Sequence, residues 1–278
     1  MAGGIRIVTD STSDINAELA KKLDVTVVPL NVRFGNENFK DRIDLDSRKF
    51  FQLLEAADEL PTTSLPSPGD VQAVYEELVK KYDSIISIHI SSKMSGTFQS
   101  ARAASFEFPD RDIVVIDSEY VASALMIIVV RAAREVKKGA DRDSVLGRIK
   151  EDISKMDIFF VVDSLDYLQR GGRMGLTSHV IGSLLNVKPI LTVRDGVIDT
   201  KSKVRSLKKA FRKVVELIEE KHEKPELAVI SHGRAMDESK ELEKMLRSDY
   251  PDLEVLGSEI GPVIGTHTGP GCIEIAIV

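Results

Sequence analysis

Short apolar runs alternate with helical periodicity through the first half of this chain. Ile5–Val8, Val25–Leu30, Ile85–Ile90 and Ile113–Ile116 are a few residues long and rich in β-branched side chains, which predicts strands. Between them, Asp14–Lys22, Ser47–Ala57, Gly69–Lys81 and Glu119–Lys138 repeat their apolar residues at helical spacing. Such alternation implies βαβ units and a mostly parallel sheet. The stretch Asn31–Lys40, with Gly35-Asn36 at its centre, reads instead as a hairpin at an edge and a poor place for chemistry.

The pattern changes after Lys155. Ile158–Val162, Lys188–Val193 and Val197–Lys203 are strand-like, and Arg194-Asp195-Gly196 supplies a tight turn between the last two, which predicts an antiparallel pair. Helical spacing returns at Ser206–His222 and Met236–Tyr250, with further strands at Leu227–Ser231, Leu253–Ile260 and Cys272–Val278. The expected fold class is α/β with two α/β domains. Residues 1–155 would hold a mostly parallel sheet and residues 156–278 a mixed one.

Composition narrows the function. With 278 residues, 42% of them hydrophobic, the chain can bury a substantial core. A formal charge of −6, with Lys and Glu intermixed, argues against nucleic-acid binding, which needs basic contacts to phosphate. The longest uncharged apolar run, around Ala124–Val130, is far short of a membrane span. One cysteine, Cys272, cannot form an internal disulfide and fits a reducing compartment, so the expected location is cytoplasmic. The absence of Trp, the scarcity of Asn and Gln and the abundance of Lys and Glu suggest heat resistance. A melting temperature above the mesophile range of about 45–65 °C is expected, and cooperative unfolding inside that range would refute it.

Three hydroxyl-rich segments carry the candidate chemistry. Ser91-Ser92-Lys93-Met94-Ser95-Gly96-Thr97 follows a predicted strand and precedes a helical stretch, the place where open α/β sheets bind ligands and where free helix N–H groups favour an oxyanion. Thr9-Asp10-Ser11-Thr12-Ser13 and Pro61-Thr62-Thr63-Ser64-Leu65-Pro66-Ser67 repeat the arrangement. Each alone reads equally as a helix N-cap; together they suggest loops converging on one pocket. Arg170 and Arg173, beside Gly171-Gly172, suit a phosphate or an acidic partner surface, or else are solvent-facing residues of a helix that ends at Gly171. His267 stands in a glycine-rich turn, Ile264–Gly271, where backbone approaches a ligand closely or the imidazole is satisfied locally. Neither a dinucleotide fingerprint nor a phosphate-binding P-loop is present, and no histidine pair has metal-ligand spacing, so no cofactor and no structural metal are expected. A nucleophile triad of Ser95 with His267 and Asp10 or Asp117 is disfavoured because the sharp G-x-S-x-G elbow is missing.

Taken in order, Thr9-Asp10-Ser11, Thr63-Ser64-Leu65-Pro66-Ser67, Ser91–Thr97, Asp117-Ser118, Tyr167–Arg173, Asn186-Val187-Lys188-Pro189-Ile190 and Gly265–Gly271 resemble the DegV family over nearly the whole chain. The resemblance implies a protein that binds a long-chain fatty acid such as palmitate, stearate or oleate. It further implies a carrier without catalysis of its own, which presents the carboxylate to a separate ATP-dependent fatty acid kinase. By motif, Thr63, Ser95, Gly96, Thr97 and His267 would surround the carboxylate, supported by Asp10, Ser11, Thr62 and Ser118, while Arg170, Arg173 and Arg205 would face the kinase. Leu65 stands where many members have Gln, a departure bearing on the polar lining and on acyl-chain preference. The apolar run Val121–Val130 would line the tail tunnel beside Leu184, Leu185 and Ile190, or else is plain core, as expected for most of it. The competing readings are a hydrolase using Ser95 and a binder of small phosphorylated ligands using Arg170 and Arg173.

Overall fold

The computed structural model describes residues 3–176 and 187–278. Strands β1 (Ile5–Asp10), β2 (Val25–Val28), β6 (Ser84–His89) and β7 (Asp112–Asp117) form a parallel sheet in the order β2-β1-β6-β7. A second, mixed sheet runs β10-β9-β8-β13-β11-β12, built from β8 (Asp157–Val161), β9 (Lys188–Arg194), β10 (Val197–Val204), β11 (Leu227–His232), β12 (Glu254–Glu259) and β13 (Ile273–Ile277). The chain is therefore α/β, with one parallel and one mixed sheet. Strands β9 and β10 form the expected hairpin, and the turn puts both Asp195 (φ 50°) and Gly196 (φ 75°) in the left-handed region, the geometry that two-residue hairpin turns require.

A buried helix lies between the sheets. Helix α5 (Ala122–Lys137) buries nearly every residue from Ala122 to Ala133. One side packs on Ile7, Ile86 and Ile88 of the parallel sheet and the other on Ile158, Leu227, Val229 and Ala276 of the mixed sheet, all in one cluster. A helix apolar around its circumference is stable only when covered on every side, and Leu125–Val130 are that covered core. On the outer face of the parallel sheet lie α3 (Pro68–Leu78) and α4 (Thr97–Ser105), through Tyr75, Ala101 and Ala104. On the outer face of the mixed sheet lie α8 (Leu207–Glu219) and α9 (Met236–Asp249), through Phe211, Ile218 and Leu242. No helix among the described residues is long and apolar enough to cross a membrane.

Two elements depart from the sequence reading. The Asn31–Lys40 excursion does form a hairpin, β3 (Asn31–Phe34) and β4 (Glu37–Lys40), but not at an edge of the parallel sheet. It is part of a separate three-stranded sheet, β4-β3-β5, in which β5 is Thr62–Ser64, so the hairpin positions one of the hydroxyl segments. The supposed glycine-rich turn is helical over α10 (Pro262–Thr268), with Pro262 at the first helical position, where its missing N–H costs nothing, and Gly269 (φ 71°) ending it.

Candidate functional site

Three elements distant in sequence meet at one opening. Thr63 lies on β5 opposite Val32, and its Oγ1 is 2.9 Å from Nε2 of His267 on α10. Ser95 closes a turn in which its N–H donates to the Ser91 carbonyl, and its Oγ is 2.8 Å from the Thr97 hydroxyl. Ser91 in turn donates to the Gly196 carbonyl, tying the Ser95 loop to the β9–β10 hairpin. Arg173, just beyond α7 (Asp166–Arg170), is exposed; its guanidinium donates to the carbonyls of Gly171 and Met94.

Behind this opening is a mostly apolar cavity of the concave kind usual for small-molecule sites. Its mouth is lined by Thr63, Ser95, Arg173 and His267, and its interior by apolar side chains that include Leu30, Ile90, Met94, Phe160, Ile198 and Val263. The first residues of α5, Val121 and Ala122, form part of the wall. Ala122 adopts φ 54°, a conformation rare outside glycine and held here by full burial. An outer vestibule shares Thr63, Arg173 and His267 with the cavity and adds Thr62, Tyr167 and Arg170.

The imidazole of His267 is neutral near pH 7. Burial, reinforced by the positive charge of Arg173, lowers its pKa to about 4. Its Nδ1 is buried without a hydrogen-bond partner and rests against Gly171, where any Cβ would lie 2.2 Å from it. The mouth therefore offers two hydroxyls, a neutral imidazole and a guanidinium, a set suited to holding an anionic or polar head group while the cavity behind takes an apolar body.

Other sequence candidates have different places. Gly96 is the N-cap of α4, and Thr97 is fully buried and supports Ser95; neither lines the cavity. Asp10 accepts from the backbone and side chain of Thr12 and from His89, Ser11 accepts from the Leu30 N–H, and Ser118 orders the Tyr120 turn, so these three belong to the scaffold. Arg205 is exposed between β10 and α8 and lines neither the cavity nor its vestibule. Ile190 faces the α8 side, away from the cavity, because β9 is buried on both faces and its alternation carried no sign of direction. His179, Leu184, Leu185 and Asn186 lie outside the described residues. Among the described residues Ser95 and His267 share no hydrogen bond, and Asp117 accepts from the N–H groups of Ser92 and Glu119.

Sequence reasoning missed Thr12, Phe160, Val263, Ile264 and Glu274 as lining residues. Thr12 and Ile264 lay within segments singled out above without being named, and Glu274 left a signal of its own, a lone charge in the apolar final strand.

Two sheets sharing one buried helix, with an apolar cavity opening through a hydroxyl-lined mouth, define a two-sheet α/β protein of the ligand-enclosing kind. Residues 4–278 match the family model described as "Uncharacterised protein, DegV family". The chain belongs to the DegV family. It is 39% identical to Protein DegV of Bacillus subtilis over 274 residues, 98% of each chain. Among solved structures it is similar to a DegV family protein from Thermus thermophilus described for its fatty acid binding (TM-score 0.94, 34% identity, 99% of both chains). It is likewise similar to DegV, a fatty acid binding protein from B. subtilis (TM-score 0.91, 38% identity, 99% of this chain and 98% of that one). A stearic acid-binding protein from Eubacterium ventriosum is also similar (TM-score 0.90, 28% identity, 98% of this chain and 97% of that one).

Proposed function

We propose that this protein binds a long-chain fatty acid, its tail in the cavity and its carboxylate at the mouth among Thr63, Ser95 and His267. The observation that carries the reading is the division of one continuous cavity into a polar, half-exposed mouth and an apolar interior. The solved relatives that bind fatty acids support it. Burying about fifteen methylenes at roughly 0.8 kcal/mol each supplies on the order of 12 kcal/mol before binding costs, so the tail carries the affinity. The head group then needs only orienting hydrogen bonds of about 1 kcal/mol net each, somewhat more to a charged acceptor.

The vestibule beyond Thr63 and His267 gives the reading its second half. A carboxylate held there is open toward Arg170 and Arg173, which supports a carrier that presents the acid to a separate ATP-dependent kinase rather than an enzyme acting alone. Mass spectrometry of the organic extract of purified protein tests the ligand class. Near-stoichiometric fatty acid is expected. Its absence, together with failure to bind added palmitate or oleate, would overturn the reading and favour a phosphorylated ligand held by Arg170 and Arg173.

A further inference from the structure

An acyl tail in this cavity leaves one wall residue unexplained. Glu274 lies on β13, in the middle of the mixed sheet, with Phe160 of β8 on one side and Ser231 of β11 on the other. It is 3% exposed and lines the cavity, yet among the described residues it forms no salt bridge. One carboxyl oxygen accepts the Ser123 N–H at 3.0 Å, in the first turn of α5, which has no side-chain cap of its own. That bond explains a carboxyl near the helix end but uses only part of its capacity, since a carboxyl group has several acceptor sites and, when protonated, a donor. Burial raises its pKa to about 8, so the proton is mostly present at neutral pH. Beside it stand the fully buried hydroxyls of Ser123 and Ser231, which face this carboxyl and have no other hydrogen-bond partner among the described residues.

A polymethylene chain offers such groups nothing, and covering them with it removes the water that could otherwise satisfy them. An aliphatic hydroxyl, donor and acceptor at once, supplies the cavity side of the carboxyl with a partner. We propose that Glu274 makes the cavity selective for long-chain fatty acids that carry a hydroxyl group along the chain, over the unsubstituted acid of the same length. This rests on the fatty-acid reading above and names the substrate class within it.

The test is competition. Delipidated protein is offered equimolar stearic, 2-hydroxystearic, 10-hydroxystearic and 12-hydroxystearic acids, and the bound fraction is quantified by mass spectrometry. At least one of the 10- and 12-hydroxy acids should exceed stearate by about tenfold, the 2-hydroxy acid should not, and Glu274→Leu should bring the ratio near one. Should that variant fail to fold, Glu274→Ala serves the same comparison, and the native protein's own ranking already decides the matter. Stearate binding as well as every isomer, or a preference unchanged without the carboxyl, overturns the inference while leaving fatty-acid binding intact. Binding of none of the four overturns both.

Discussion

His89 and His267 each rest against a serine or threonine hydroxyl, yet only His267 bounds a space a ligand can enter. In β6 the hydrogen-bonded chain is complete: Tyr75 O–H donates to Ser87 Oγ, Ser87 Oγ lies 2.7 Å from His89 Nε2, and His89 Nδ1 lies 3.0 Å from the Asp10 carboxylate. This is a serine–histidine–aspartate alignment, but Ser87, His89 and Asp10 are all fully buried and none lines the cavity, so it holds the sheet together and meets no substrate. At the mouth the same residue types are incompletely satisfied. His267 has one partnered nitrogen and one free, and Thr63 and Ser95 are only half-buried. Residue type does not separate scaffold from site here; unspent hydrogen-bonding capacity facing a cavity does.

The contrast can be broken most directly at Asp10. Asp10→Ala strips acceptors from His89 and from the Ile90 and Thr12 N–H groups, and a loss of about 3–5 kcal/mol in urea denaturation is expected. An Asp10→Ala protein as stable as its parent would refute the scaffold assignment. Next in size is Gly171→Ala, whose methyl group must displace the His267 ring. A loss of about 1–3 kcal/mol is expected, with a crystal structure showing the Thr63–His267 contact broken.

At the mouth itself, Thr63→Ala and Ser95→Ala should each alter stability by only about 1 kcal/mol or less. Fatty acid should still co-purify with both variants while kinase-dependent phosphorylation falls about tenfold. Unchanged phosphorylation of the Ser95→Ala protein would remove Ser95 from the head-group site. A further effect is a slope. The folded state holds the Glu274 proton up to about pH 8, whereas the unfolded chain releases it near 4.5. The stability this provides is complete below pH 4.5 and is lost as pH rises through 8. Glu274→Gln should therefore flatten stability against pH across that window, leaving the similar falls due to Asp41 (pKa about 7) and Asp152 (about 6) in place. Equal slopes for variant and parent would contradict the buried, protonated state.

Much of this architecture is legible in the sequence because long elements repeat their apolar residues. The four parallel strands, the Asp195-Gly196 hairpin and the all-round apolar α5 are of that kind. What was lost is short or long-range. Strand β5 is three residues inside a run of Thr, Ser and Pro, too brief for a period of two to register. Helix α10 hides its seven residues among glycines and threonines. The pairing of Thr63 with His267 spans 204 residues and exists only once α10, β5 and α7 have packed. Glu274 could be noticed as odd, but a lone charge in a strand does not announce the cavity beside it.

Thr63 is lightly attached. Its strand has three residues, pairs only with β3, and forms the outer edge of a sheet that belongs to neither large sheet. Detaching such a strand breaks a few backbone hydrogen bonds and disturbs little of the core, so an opening at Thr63 is expected to be a local fluctuation rather than a rearrangement of the fold. On the fatty-acid reading, residence time and global stability would thereby be separated, the first governed at a three-residue edge and the second by the buried core around α5.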